Sequence, residues 1–187
     1  MKDKEMIASI AKRVIEIASE KKIRIAVAES CTGGMIAEKI TDIPGSSNCF
    51  SHGVVSYSDE AKSQFFKIKD DALEDHGAVS QEVAEQMAEG VIQYNNCDIS
   101  VSVTGIAGPS GATKTKPIGT IWFSWAKKVE NKIVIESELH QFDGNREKIR
   151  MKATEVALRG LENRLKFSKS TELSISNYGI KESIKKQ

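Results

Sequence analysis

The stretch IRIAVAESCTGG, residues 23–34, decides how this chain folds. Ile23 to Glu29 is a short run in which Ile25, Ala26, Val27 and Ala28 are β-branched or small and apolar, which reads as a buried strand. SCTGG then turns the chain, and Ile36, Ile40 and Ile43 share a helical face until Pro44 and Gly45 end it. Strand, tight turn and helix make the repeating unit of an α/β fold. Towards the N-terminus, Met6, Ile7, Ile10, Val14 and Ile17 recur at spacings of three and four, predicting an amphipathic helix over about residues 4–20. Towards the C-terminus, GVVSYS (53–58) reads as a second strand, and DEAKSQFF (59–66) opens a helix with two acidic residues where the macrodipole favours them. Ser80 is placed to cap a helix striped by Val83, Met87 and Val91, with Ala84, Ala88 and Ile92 beside them. DISVSVT (98–104) alternates as a strand does, and GIAGPSGATKTKPIG (105–119) is a long loop. IGTIWFSWA and KIVIESELHQF, joined through VENK, read as an antiparallel pair. Asn145 caps a last helix with Ile149, Ala153, Val156, Leu161 and Leu165 inside and Lys148, Arg150, Lys152, Arg159 and Arg164 on its outer face. The pattern predicts a single three-layer α/β/α domain with a mixed sheet over residues 1–166, followed by a polar C-terminal tail at 167–187.

Composition bounds the function. The chain has 187 residues, 40% hydrophobic and 28% charged, with 27 Lys plus Arg against 26 Asp plus Glu, so disorder throughout is excluded. A net charge of +1 supplies no global field for nucleic acid or an anionic membrane, and no nucleic-acid partner is expected. No apolar run approaches the roughly 20 residues that span a bilayer, and the first 22 residues are charged and amphipathic rather than a signal peptide, which predicts a cytoplasmic protein. Cys31, Cys49 and Cys97 contain no CxxC pair, and His52, His76 and His140 stand far apart, so neither a disulfide framework nor a metal centre is expected.

The turn after the first strand is where chemistry would gather. Ser30, Cys31 and Thr32 stand beside the unpaired amides of a helix start, a setting that suits an anion or oxyanion. Ser30 or Thr32 could equally cap the helix while Gly33 and Gly34 fit the turn, and Cys31 reads either as an activated thiol or as a small buried residue. The loop at 105–119 has neither the GxGxxG nor the GxxxxGK[ST] spacing, although Lys114 and Lys116 could serve a phosphate.

Seven blocks in order, AESCTGG (28–34), DIPGSS (42–47), GVVSYSDEAK (53–62), HGAVSQEVAEQMAEG (76–90), TGIAGPSG (104–111), KPIGT (116–120) and FDGNREKIR (142–150), resemble the C-terminal domain of CinA, the competence and damage-inducible protein family. The family includes stand-alone bacterial nicotinamide-nucleotide amidases. The resemblance implies hydrolysis of the carboxamide of nicotinamide mononucleotide to nicotinic acid mononucleotide and ammonia, without metal or organic cofactor. It places the nucleophile on Ser30, the general base on Lys62 and an assisting tyrosine on Tyr57. Substrate contacts fall on Thr32, Gly33, Gly34, Thr104, Gly105 and Arg146, the last assigned to the phosphate. Self-association as a homodimer is likewise implied. The large N-terminal domain that many relatives carry, with its own pyrophosphatase chemistry, has no room in 187 residues, so no cleavage of ADP-ribose is expected.

These roles make physical sense together. A serine hydroxyl is a weak nucleophile until a base takes its proton. A lysine is such a base only when neutral, and bringing one from about 10.4 to about 7 or 8 requires roughly 3–5 kcal/mol from burial or a nearby cation. Amides at the start of the Gly33 helix or beside Gly105 would hold the oxyanion. The loop has Ser110, Ala112, Lys114 and Thr115 where the family commonly has more glycine and an acidic residue, and Asn145 stands where it usually has aspartate. Two other functions fit the same residues: a nucleotide-binding or partner-binding module without turnover, and a cysteine hydrolase built on Cys31.

Overall fold

A computed structural model describes residues 2–166; the predicted tail at 167–187 lies outside the described residues. In chain order the elements are α1 (Lys2–Lys21), β1 (Ile25–Glu29), α2 (Met35–Thr41), β2 (Phe50–Val55), α3 (Asp59–Phe66), α4 (Asp70–His76), α5 (Gln81–Ile92), β3 (Ile99–Gly105), β4 (Thr120–Val129), β5 (Lys132–Gln141) and α6 (Arg146–Lys166). The five strands form one mixed sheet in the order β2-β1-β3-β4-β5. β1 is parallel to both β2 and β3, whereas β4 is antiparallel to β3 and β5.

Each sheet face has its own core. Val27, Val101, Val103, Phe123 and Trp125 pack against Ile10 and Val14 of α1, Ile36 and Ile40 of α2, and Leu158 and Leu161 of α6. On the other face Ala26, Ala28 and Ala126 meet Phe66 of α3 and Val83, Met87 and Val91 of α5. This is the α/β/α sandwich that the period-2 and period-3.6 patterns predict. β3 shows why its alternation is not half wet. Ser100 and Ser102 fill the alternate positions, yet both are buried and donate to the α5 carbonyls of Ala88 and Ala84. A hydroxyl can lie against a helix in this way because it brings its own donor.

Four details differ from the sequence reading. β2 begins at Phe50, three residues before the expected Gly53. α4 was not foreseen, because DDALEDH carries no apolar stripe and buries only Ala72 of its described side chains. Ile43 lies beyond the end of α2, at Thr41, and packs on the core from the following turn. Arg150 and Arg164 are not on the outer face of α6. Arg150 donates to the Thr32 carbonyl at 2.6 Å, and the Arg164 guanidinium lies 4.1 Å from the centre of the Trp125 ring. A long guanidinium side chain on the flank of a helix can bend inward to a carbonyl or ring that the sequence does not reveal.

Candidate active site

The connections leaving β1 and β2 go to opposite faces of the sheet, α2 to one and α3 to the other. Such a divergence opens a crevice at the carboxyl ends of the strands. Here it is a cleft of about 350 Å³ lined by Ser30, Tyr57, Asp59, Lys62, Thr104, Gly105, Arg146 and the loop from Ile106 to Gly111.

Ser30 is held by its backbone. Its amide donates to the Val103 carbonyl at 3.0 Å, its carbonyl accepts from Gly33 at 3.0 Å, and the preceding Glu29 carbonyl accepts from Ser56 at 2.8 Å. Its hydroxyl has no hydrogen-bond partner among the described residues, although the residue is only 8% exposed. Lys62, 2% exposed, is delivered by the first turn of α3, which Ser58 caps by accepting from the Ala61 amide at 3.1 Å. Its Nζ lies 3.4 Å from the Ser58 carbonyl and 3.3 Å from Asp59 Oδ1. Tyr57, 60% exposed, accepts from Arg146 Nη2 at 2.6 Å, and the same guanidinium donates through Nη1 to the Gly108 carbonyl at 2.7 Å. Thr104 closes the floor by donating to the Ala78 carbonyl at 2.7 Å.

The cleft therefore gathers Ser30, Tyr57, Lys62, Thr104, Gly105 and Arg146, but not Thr32, Gly33 and Gly34. Thr32 is fully buried with its hydroxyl unpartnered and its carbonyl engaged by Arg150. Gly33 and Gly34 have φ of 60° and 92°, a left-handed pair that side chains rarely adopt, so these glycines serve the turn.

The expectation that the α2 amides would hold an oxyanion is overturned. The Glu29 carboxylate, fully buried, already accepts from the amides of Gly34, Ile36 and Ala37 at 2.9, 3.1 and 2.8 Å. The chain supplies its own anion to that helix end. Several amides of the described lining residues, those of Cys31, Ala107 and Gly108 among them, have no carbonyl acceptor. The activated-thiol reading of Cys31 fails for a related reason. Burial, reinforced by the Glu29 charge, pushes its thiol up to about 12, so it is not ionised near neutral pH.

Three residues to which the sequence reading gives no part in the site shape it: Glu29, Asp59 and Arg150. A lone acid ending a buried apolar strand marks Glu29, and the i, i+3 spacing to Lys62 marks Asp59. Nothing local marks Arg150, whose partner lies 118 positions away. Among the described residues no group of His, Cys, Asp or Glu could hold a metal ion, and no helix is long and apolar enough to cross a membrane.

A model of the CinA C-terminal domain family matches residues 7–165, which include every strand and the whole cleft. The chain belongs to that family. As a CinA domain it is 45% identical over 154 residues to a CinA-like protein of Chlorobaculum tepidum, aligning with 82% of this chain and 36% of that protein. The chain thus spans about a third of the length of that relative and of several others it matches. It is also 43% identical over 147 residues to a protein of Enterobacter agglomerans named nicotinamide-nucleotide amidohydrolase PncC, covering 77% of this chain and 88% of that one. A solved CinA superfamily protein from Klebsiella pneumoniae superposes with a TM-score of 0.80 at 30% identity, over 86% of this chain and 98% of that one. A competence/damage-inducible protein from Agrobacterium tumefaciens gives 0.80 at 33%, over 87% and 96%.

Proposed function

We propose that this CinA domain hydrolyses the carboxamide of nicotinamide mononucleotide to nicotinic acid mononucleotide and ammonia. The observation that carries the reading is that Ser30, with an unengaged hydroxyl, and the buried Lys62 line one cleft at the strand ends. The amidohydrolase name of the Enterobacter agglomerans relative supplies the substrate class.

Lys62 in its neutral form takes the Ser30 proton as Oγ attacks the carboxamide carbon. The oxyanion forms beside the amides of Cys31 and Ala107, which no carbonyl engages. Tyr57 already accepts from Arg146, which leaves its own O–H free to donate to the departing nitrogen. Lys62 passes the proton it took to Tyr57 in replacement, ammonia leaves, an acyl-enzyme remains on Ser30, and water splits it with the again neutral Lys62 as base. Before the substrate phosphate can pair with Arg146, it must compete with Tyr57 and the Gly108 carbonyl.

Pure protein incubated with nicotinamide mononucleotide is expected to release one ammonia per nicotinic acid mononucleotide formed. Ser30→Ala and Lys62→Met should each lower turnover by at least about a hundredfold, whereas Cys31→Ala should keep most of it. Tight binding with no ammonia released would instead establish a silent nucleotide-binding module, and loss of activity in Cys31→Ala alone would restore the cysteine hydrolase.

A further inference from the structure

Of the residues lining the cleft, Asp59 alone is acidic, and it stands against the residue proposed as base. Its carboxylate is 58% exposed and 3.3 Å from the ammonium of Lys62, which is 2% exposed, so Asp59 faces both the lysine and the open cleft. The fold does not need that charge, since the cap of α3 is made by the Ser58 hydroxyl and Glu60 supplies a second acid to the same first turn. An anion beside a lysine favours the charged form, whereas a base must be neutral. The arrangement is productive only if something entering the cleft draws Asp59 away.

We propose that Asp59 couples the charge of the substrate to activation of the base. The cationic ring of an N-ribosylated pyridine carboxamide pairs with the Asp59 carboxylate, Lys62 loses its counter-ion beside a new cation, and its proton passes to solvent. The neutral amine then accepts the Ser30 proton. One positive charge enters and one leaves, so the cleft keeps its net charge through the exchange. The site accordingly selects pyridinium amides over neutral rings of the same shape. This inference rests on the amidase reading.

The other ionisable groups in or near the cleft do not perform this exchange. Arg146 of α6 is a fixed cation bonded to Tyr57 and Gly108, and Glu29 is turned to the α2 amides. Cys31 carries a thiol pushed up to about 12. Glu60, on the same helix, is fully exposed, with its carboxyl drawn down by its own backbone and by Ser58. Ala78, Val79 and Thr104, which line the cleft from beyond α3, do not ionise.

The test compares nicotinamide mononucleotide with its reduced form, which keeps ribose, phosphate and carboxamide but has a neutral ring. In a Ser30→Ala background, calorimetry should show the oxidised nucleotide bound at least about fivefold more tightly than the reduced one, the size expected of a half-exposed ion pair. Adding Asp59→Asn should abolish that preference, and Asp59→Glu should restore part of it. In otherwise unaltered protein, Asp59→Asn should move the rising limb of kcat/KM against pH to lower pH, a displacement that a purely structural role would not produce. A preference unchanged by Asp59→Asn, or a rising limb that stays in place, overturns the coupling. If the unaltered protein releases no ammonia, the amidase reading falls, and the binding preference alone decides whether Asp59 selects the ring cation.

Discussion

Glu29 immediately precedes the proposed nucleophile, and a bare carboxylate there would repel the negative charge that develops during acyl transfer. Three backbone amides at the start of α2, those of its cap Gly34 and of Ile36 and Ala37, take up that charge and in doing so fix the turn that carries Ser30. Glu29→Gln preserves the shape but presents an amide nitrogen, which cannot accept, to part of this cradle. A buried N–H left without a partner costs about 1–3 kcal/mol. The expected result is a loss of that order in urea denaturation, together with a fall in kcat of roughly tenfold, about 1.4 kcal/mol of barrier, and little change in KM. Unaltered kinetics in a folded variant would remove Glu29 from any role in placing Ser30. The sequence could show an acid at the end of the strand, and it could show a helix start that welcomes an anion. It could not show that the two satisfy each other, because the reach of one carboxylate to amides five, seven and eight positions ahead depends on the turn between them.

At the scale of elements, α6 does more than cover a sheet face. Arg146 in its first turn reaches Tyr57 and Gly108, Arg150 one turn later reaches Thr32, and at Gly160 the helix comes so close to Trp125 that a Cβ would overlap the indole ring. The i, i+4 spacing of the two arginines puts them on one flank, aimed at the strand ends. Arg150→Met keeps most of the apolar stem and removes the donor to the Thr32 carbonyl. Turnover should drop by about three- to tenfold with KM less affected, since a lost hydrogen bond from a charged group to the turn, worth about 1.5–3 kcal/mol, is felt partly by Ser30. Steady-state kinetics beside a thermal melt separate this from simple unfolding. The same helix shows what periodicity can and cannot deliver. Ile149, Ala153, Leu161 and Leu165 were legible as its inner stripe because burial follows the 3.6-residue repeat. The partners of its arginines were not, because they come from residues distant in the chain. α4 leaves no pattern for the opposite reason, being a short helix with too little apolar surface.

The whole domain is tied together at the end of the molecule away from the chemistry. Glu162 of α6, 4% exposed, pairs with Arg13 of α1 at 2.7 Å and with Lys166 at 2.7 Å. The hydrogen bond from Arg13, followed by that from Lys166, holds its carboxyl at about 2, below the usual carboxylate range. A carboxyl lowered by folding stabilises the native state fully above about 4.3, where the unfolded chain's glutamate ionises, and ceases to do so as pH falls toward the folded value. Urea denaturation should find Glu162→Gln less stable by about 1–2 kcal/mol at pH 7, with both partners half-exposed and so partly screened. Most of that difference should be gone by about pH 2. The order of the strands and of the helices other than α4, and the two-sided core, are legible in the sequence, because apolar runs, alternation and the 3.6-residue repeat mark them. The position of the cleft followed from the topology, which sends α2 and α3 to opposite faces.

β1 lies between two parallel neighbours, and every one of its residues is buried. Its amide protons are shielded from solvent deuterium until the domain opens as a unit. The footing of the serine thus belongs to the last part of the molecule to loosen, and warming that frays the β4–β5 ribbon at the rim leaves that footing undisturbed.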